Sequence, residues 1–257
     1  MARLQAVGCL TWTFTEQPRR VRILLAVYQE KRAEALSLQR RFGGQVRAVE
    51  VSEWIGPKET PPTRIGRWIE IVHQAVVAKK KSGDVPRLHI PHGLAFGSGD
   101  HATTGLLLRE LARRGDWSGK RVLDLGTGSG VLALAVRLFG AREIVATDFD
   151  SQAIRTAREN EELNFSKPSI RWRCADVKKW RSSARYDLVL ANLFSGILIE
   201  AAPQIAASVA VGGELWQSGV LRVQEKDVVK AYRAEGLRLK QVVSRGKWIW
   251  LQWGKAA

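Results

Sequence analysis

At 257 residues, 45% of them hydrophobic, the chain can hold one large α/β domain, or one domain with a small module attached. No apolar run approaches twenty residues and residues 1–10 lack a signal-peptide pattern, so neither a membrane partner nor export is indicated; Cys9 and Cys174 are too few for a disulfide framework, which points to the reducing cytoplasm. The formal net charge of +16 favours acidic partners, RNA and ribonucleoprotein among them, and residues 1–90 carry 16 Lys or Arg against 8 Asp or Glu while residues 91–257 carry 25 against 17.

Residues 1–55 predict a small α/β module. A strand over 21–27 leads to a helix over 29–42, which Gly43 and Gly44 stop, and an alternating strand follows over 46–51. The breakers Gly56-Pro57 and Pro61-Pro62 open a connector that runs to residue 90. Order returns within it over 65–77, with a strand through Trp68, Ile69 and Ile71. A basic loop over 79–84 and a short strand over 88–90 complete it.

Residues 91–257 carry a clearer rhythm. Asp100 predicts a cap for a helix reaching Arg114, because its carboxylate can accept first-turn amides. Strands are expected over 121–125, 144–147, 169–174, 187–191 and 213–218. Helices are expected over 129–139, 151–163 (capped by Ser151), 196–210 and 223–235. The last two strands, 237–243 and 248–253, are joined at Arg245-Gly246. So short a join excludes a parallel crossover and predicts an antiparallel hairpin. The fold expected is therefore α/β, a mostly parallel seven-stranded sheet ending in that hairpin, behind a small N-terminal α/β module.

Residues 122–130, VLDLGTGSG, place Gly126, Gly128 and Gly130 in the turn between the first strand of this domain and its helix. Asp148 ends the next strand, where a carboxylate can accept both hydroxyls of a ribose. Such a unit holds a nucleoside, and the glycines fit a methyl donor better than a dinucleotide. Asp124 stands just before the turn, suited to its amides or to a donor's ammonium. Asp176 follows the third strand, suited to an adenine amino group or to an ordinary loop role. Asn192, Leu193 and Phe194 follow the fourth strand, where ligands of open α/β sheets collect. The Asn192 amide oxygen, or the carbonyls of Asn192 and Leu193, can accept from an incoming amine. Phe194 can wall an alkyl stem or belong to the core. The loop over 91–104, PHGLAFGSGDHATT, lies beside a helix N-terminus suited to a carboxylate, with Thr103 or Thr104 donating and Phe96 covering the adenosine or packing beneath. His92 and His101 lack clustered partners, so no metal site is read.

These runs, with Ala157-Arg-Glu-Asn160 and Asn164, residues 186–192 (YDLVLAN) and Gly212-Gly213 through Leu221, resemble the ribosomal protein lysine methyltransferase family PrmA over residues 88–257. The resemblance implies a class I methyltransferase fold and S-adenosyl-L-methionine as donor. It also implies lysine or N-terminal amines of a large-subunit ribosomal protein as acceptors, and donor contacts at Thr104, Gly126, Asp148 and Asn192. The sequence departs from the family pattern at Ser98, Asp100 and Ala102, and at Thr127, where Cys is common. The recognition module is shortened to about one strand–helix–strand unit. Competing readings keep the donor but change the acceptor to RNA, another protein or a small molecule, or make the chain a non-catalytic homologue. A nicotinamide oxidoreductase is the rival of another class, opposed by the final hairpin and by Asn192. The basic front and ten Trp residues motivate the readings with another acceptor, and the basic surface suits contact with ribosomal RNA.

Overall fold

The computed structural model describes residues 12–16, 23–27, 32–46, 61–73, 85–91, 99 and 101–256. The chain divides into two compact units, Met1–Pro57 and Lys58–Ala257. In the first, β1 (Trp12–Glu16) pairs antiparallel with β2 (Ile23–Val27), and α1 (Arg32–Phe42) follows. β1 was not among the predicted strands, although Trp12 and Phe14 alternate with Thr13 and Thr15 as a half-buried strand would. Gly43 stops α1 as expected, at φ +77°, its amide donating to Gln39 O at 2.8 Å. Most of the strand expected over 46–51, and the basic loop over 79–84, lie outside the described residues.

The segment expected as a connector up to residue 90 holds regular structure, including strands near the two expected within it. β3 (Thr63–Ile65), β4 (Ile69–Val72) and β5 (Arg87–His89) form a three-stranded sheet, antiparallel then parallel. Ile65, Ile69, Ile71, Leu88 and Ile90 are buried in one core with Leu107, Leu108 and Leu111 of α2 (Ala102–Arg114). The prolines punctuate the chain, but the apolar residues around them remove too much surface from water to stay a tether. The outer edge of β5 meets a side chain in place of a strand. Asn164 accepts from His89 N and donates to His89 O, both at 2.7 Å.

The large sheet has seven strands in the order β11-β12-β10-β9-β6-β7-β8. These are β6 (Arg121–Leu125), β7 (Glu143–Asp148), β8 (Ile170–Cys174), β9 (Tyr186–Asn192), β10 (Val209–Leu221), β11 (Leu237–Arg245) and β12 (Trp248–Lys255). The first five run parallel and β12 is antiparallel to both its neighbours, as the short join predicts. Strand alternation sends Val122, Leu188 and Trp250 to one core, and Leu123, Val189 and Leu251 to the other. The helices α3 (Val131–Leu138), α4 (Ser151–Asn164), α5 (Ser195–Glu200), α6 (Ala202–Ser208) and α7 (Glu225–Ala234) connect the strands.

Three local expectations are corrected. The helix over 196–210 is two helices, because Pro203 has no amide to donate one turn back and sits where α6 begins. The cap of α4 is Asp150, whose carboxylate accepts Gln152 N at 2.9 Å, not Ser151. The cap of α2 is His101, which accepts Thr103 N; Asp100 lies outside the described residues. Trp117, Trp172, Trp180, Trp216, Trp250 and Trp253 are buried, so these tryptophans serve the core and present no stacking surface. No helix among the described residues is long and apolar enough to cross a membrane.

Candidate active site

The carboxyl ends of β6, β7 and β9 converge with the start of α2. After β6 the amides of Gly126 and Thr127 both donate to Thr147 O at 2.9 Å, folding the turn onto β7. Gly126, Gly128 and Gly130 all adopt positive φ, at +71°, +55° and +82°, which side chains rarely tolerate. Gly130 has a second reason for being glycine. A Cβ there would stand 2.8 Å from Trp172 and 3.0 Å from Ala157, so it serves helix-on-sheet packing. Asn160 of α4 braces the turn by donating to Ser129 O at 2.9 Å.

Two carboxylates flank this turn. Asp148 is buried; its Oδ2 accepts Gly128 N at 2.9 Å and its Oδ1 accepts Asp150 N at 3.0 Å, so the strand-end acid and the glycine turn form one unit. Asp124 is fully buried. Thr127 donates its hydroxyl to Oδ2 at 2.6 Å, while Oδ1 has no hydrogen-bond partner among the described residues. Burial, with the nearby Asp148 charge, pushes the Asp124 carboxyl up to about 7, against the Thr127 and Ala133 donors that favour its ionised form.

Asn192 and Thr104, 88 residues apart, meet through a hydrogen bond from Asn192 Nδ2 to Thr104 Oγ1 at 3.1 Å. The neighbouring Thr103 is tied to the start of its own helix, Oγ1 lying 2.7 Å from His101 Nδ1. Geometry thus separates two threonines that composition cannot. Leu193 donates its amide to Ser218 O at 3.2 Å, and glycines press on it from two sides. A Cβ on Gly126 would lie 2.3 Å from Leu193 Cδ2, and one on Gly219 (φ +82°) 2.4 Å from Leu193 O. Phe194 is 69% exposed, so it is not core. Asp176 lies beyond β8, half-buried, its Oδ1 accepting Lys178 N at 2.9 Å to open a short 3-10 turn. Phe96 lies outside the described residues.

Sequence reasoning passed over Phe149. It directly follows Asp148 at the tip of β7 and is 79% exposed. An apolar ring fixed beside a carboxylate at a strand end is a signal readable from the sequence. The tip of the last hairpin was also missed as part of the site. The rings of Trp248 and His101 meet edge to face at 5.1 Å, so the tip leans on the start of α2.

A family model described as "Ribosomal protein L11 methyltransferase (PrmA)" matches residues 14–256. The ribosomal protein L11 methyltransferase of Chromohalobacter salexigens is 38% identical over 200 residues, covering 77% of this chain and 64% of the relative. That of Geobacter sulfurreducens is 38% identical over 187 residues, covering 73% and 60%. The chain thus spans less than two thirds of the length of these curated relatives. The crystal structure of ribosomal protein L11 methylase from Lactobacillus delbrueckii subsp. bulgaricus superposes with a TM-score of 0.69 at 26% identity, covering 76% of this chain and 99% of that one. A magnesium protoporphyrin IX methyltransferase from Synechocystis, solved with its methyl donor bound, shares the fold alone, at a TM-score of 0.50 and 16% identity over 59% of this chain. Sheet order, terminal hairpin and a family match over nearly the whole chain agree: the chain belongs to the ribosomal protein L11 methyltransferase (PrmA) family.

Proposed function

We propose that the chain transfers methyl groups from S-adenosyl-L-methionine to lysine amines of a large-subunit ribosomal protein, in the cytoplasm. The observation that carries this reading is the joining of Asn192 to Thr104 beside the Gly126–Gly130 turn, in a chain of this family. The residues fit the donor. Asp148 offers the remaining lone pairs of its two oxygens to the ribose hydroxyls. The buried Asp124, with an unpartnered Oδ1, suits a cationic ligand group. Phe149 offers an apolar face to the base, and Asp176 keeps acceptor capacity for its amino group.

When bound, S-adenosyl-L-methionine supplies an electrophilic methyl carbon on a sulfonium. The chain's part is orientation and exclusion of water. Thr104 fixes the Asn192 amide through Nδ2, which turns Oδ1 toward an acceptor amine that donates to it. The amine gives its proton to solvent beforehand, and a drier pocket favours its neutral form. Leu193, held by Ser218 and Gly219, keeps the Asn192 backbone in place, and Phe194 lies along the alkyl stem. The net charge of +16 supports a second contact with ribosomal RNA around the acceptor. Radioactive methyl transfer from the donor to purified ribosomal subunits tests the reading, with mass spectrometry of the labelled bands. Label on a lysine of a large-subunit protein is expected. Label in RNA alone, or none, overturns it.

A further inference from the structure

One side of the mouth of this site is built from the end of β10 and the last hairpin. Ser218 stands opposite Asn192 in the β9–β10 register, and three residues on, Leu221 stands opposite Trp248. Arg245 pairs with Trp248 across the hairpin, and Arg222 N donates to Lys247 O at 2.9 Å. The end of β10 and the hairpin tip therefore close one side of the mouth. Arg245 reaches the start of α2, its Nη1 lying 3.2 Å from where a Gly105 Cβ would stand. Arg222, Arg245 and Lys247 are all exposed, and no ion pair found among the described residues uses them. Phe194 and Val223 beside them are 69% and 87% exposed. The acids that follow, Glu225 and Asp227, sit in the first turn of α7, where helix amides already engage negative charge.

We infer that this rim docks an acidic segment of the protein acceptor, carboxylates meeting Arg222, Arg245 and Lys247 while an apolar residue covers Val223. The inference rests on the methyl transfer proposed above and names what selects the acceptor. Three residues of strand, bent at Gly219, separate Ser218 opposite Asn192 from the rim, at most about 10 Å, so the carboxylates belong within about three or four residues of the acceptor lysine. The rim's cations also disfavour a protonated lysine in the mouth, which works toward the neutral amine.

The test uses the full chain, labelled donor and large-subunit proteins freed of RNA. Substituting Arg222→Gln, Arg245→Gln and Lys247→Gln together raises the acceptor KM about tenfold, as loss of three screened pairs should, while donor affinity by calorimetry is retained. Independently, polyglutamate inhibits the unsubstituted chain competitively against the acceptor and not against the donor, and added salt relieves it. An unchanged acceptor KM with no inhibition by polyglutamate overturns the inference and leaves the transfer reading standing. A defect confined to intact subunits, absent with free proteins, assigns the rim to RNA phosphates instead and also overturns it. Absence of any transfer by the unsubstituted chain sinks the proposed function, and the rim with it.

Discussion

The two halves of the large sheet meet at the same edge but are built differently. On the β6-β7-β8 side the site is made of backbone: three positive-φ glycines, amides folded onto Thr147, and the buried Asp148 carboxylate joined to Gly128. On the β9-β10-β12 side it is made of side chains at a rim: Asn192 on Thr104, an exposed Phe194, and the basic hairpin tip. The first design suits a ligand of constant shape, since preorganised backbone leaves little to adjust. The second suits a partner whose surface can vary, with one fixed amide at its centre. The halves pair along β9 and β6, and at their tips they meet on Leu193, wedged between Gly126 of one half and Gly219 of the other.

That contact predicts the largest effect. In Gly219→Ala the new Cβ meets the Leu193 carbonyl at 2.4 Å and the Leu193 amide nitrogen at 3.1 Å, backbone atoms of the residue that follows Asn192. Transfer should fall more than about 100-fold and stability by about 2–4 kcal/mol, read by kinetics and by denaturation. If both stay at their original levels, the halves are not coupled through Leu193. Next comes Asp148→Ala, which removes the acceptor on the backbone-built side. The donor dissociation constant should rise about 100-fold in calorimetry, with acceptor KM little changed. The reverse pattern would move the donor off this half.

Asn192→Ala probes the other side. Transfer should drop about 30-fold while the chain stays folded and donor affinity holds within about threefold. Undiminished transfer would take Asn192 out of the chemistry. Asp124 contributes a pH dependence. Its folded-state carboxyl titrates near 7, raised from 3.8, so without ligand the folded chain keeps a proton that the unfolded chain has lost. Stability conferred by that proton is therefore fully present below about pH 3.8 and is lost as pH rises to about 7. A cationic ligand group beside Asp124 favours the ionised form, so donor affinity should weaken by up to about tenfold per pH unit below 7, with proton release on binding. Asp124→Asn should flatten both profiles; a pH-independent affinity in the parent chain would remove the carboxylate from donor binding. Smallest is Asn164→Ala, which strips the outer edge of β5 of its two bonds. A loss of about 1–2 kcal/mol is expected, with faster exchange of the His89 amide.

Much of the backbone-built half was legible in the sequence. Strand period, glycine spacing and a strand-end acid are local signals, and β6 lies where they place it. Phe149 was equally local and was passed over. The terminal hairpin was legible too, because two residues cannot make a parallel crossover. What escaped was set at a distance. Residues 56–90 read as a connector because Gly56-Pro57 and Pro61-Pro62 open them, while the burial of Ile65, Ile69 and Ile71 depends on Leu107 and Leu111 about forty residues later. The cap of α2 passed to His101 because its ring reaches Thr103, a choice of rotamer and packing.

By itself the sequence determined the class of sheet, the end of it where the candidate site lies, and the residue types proposed to hold a nucleoside, all from chemistry within about thirty residues. Tertiary structure alone decided which threonine joins Asn192, why Gly219 cannot carry a side chain, and that Arg222, Arg245 and Lys247 share one rim. The physical reason is that hydrogen bonds and close contacts act over a few ångströms. Strands adjacent in this sheet lie up to 66 residues apart in the chain, as Val122 and Leu188 do, and only folding brings their tips within that range.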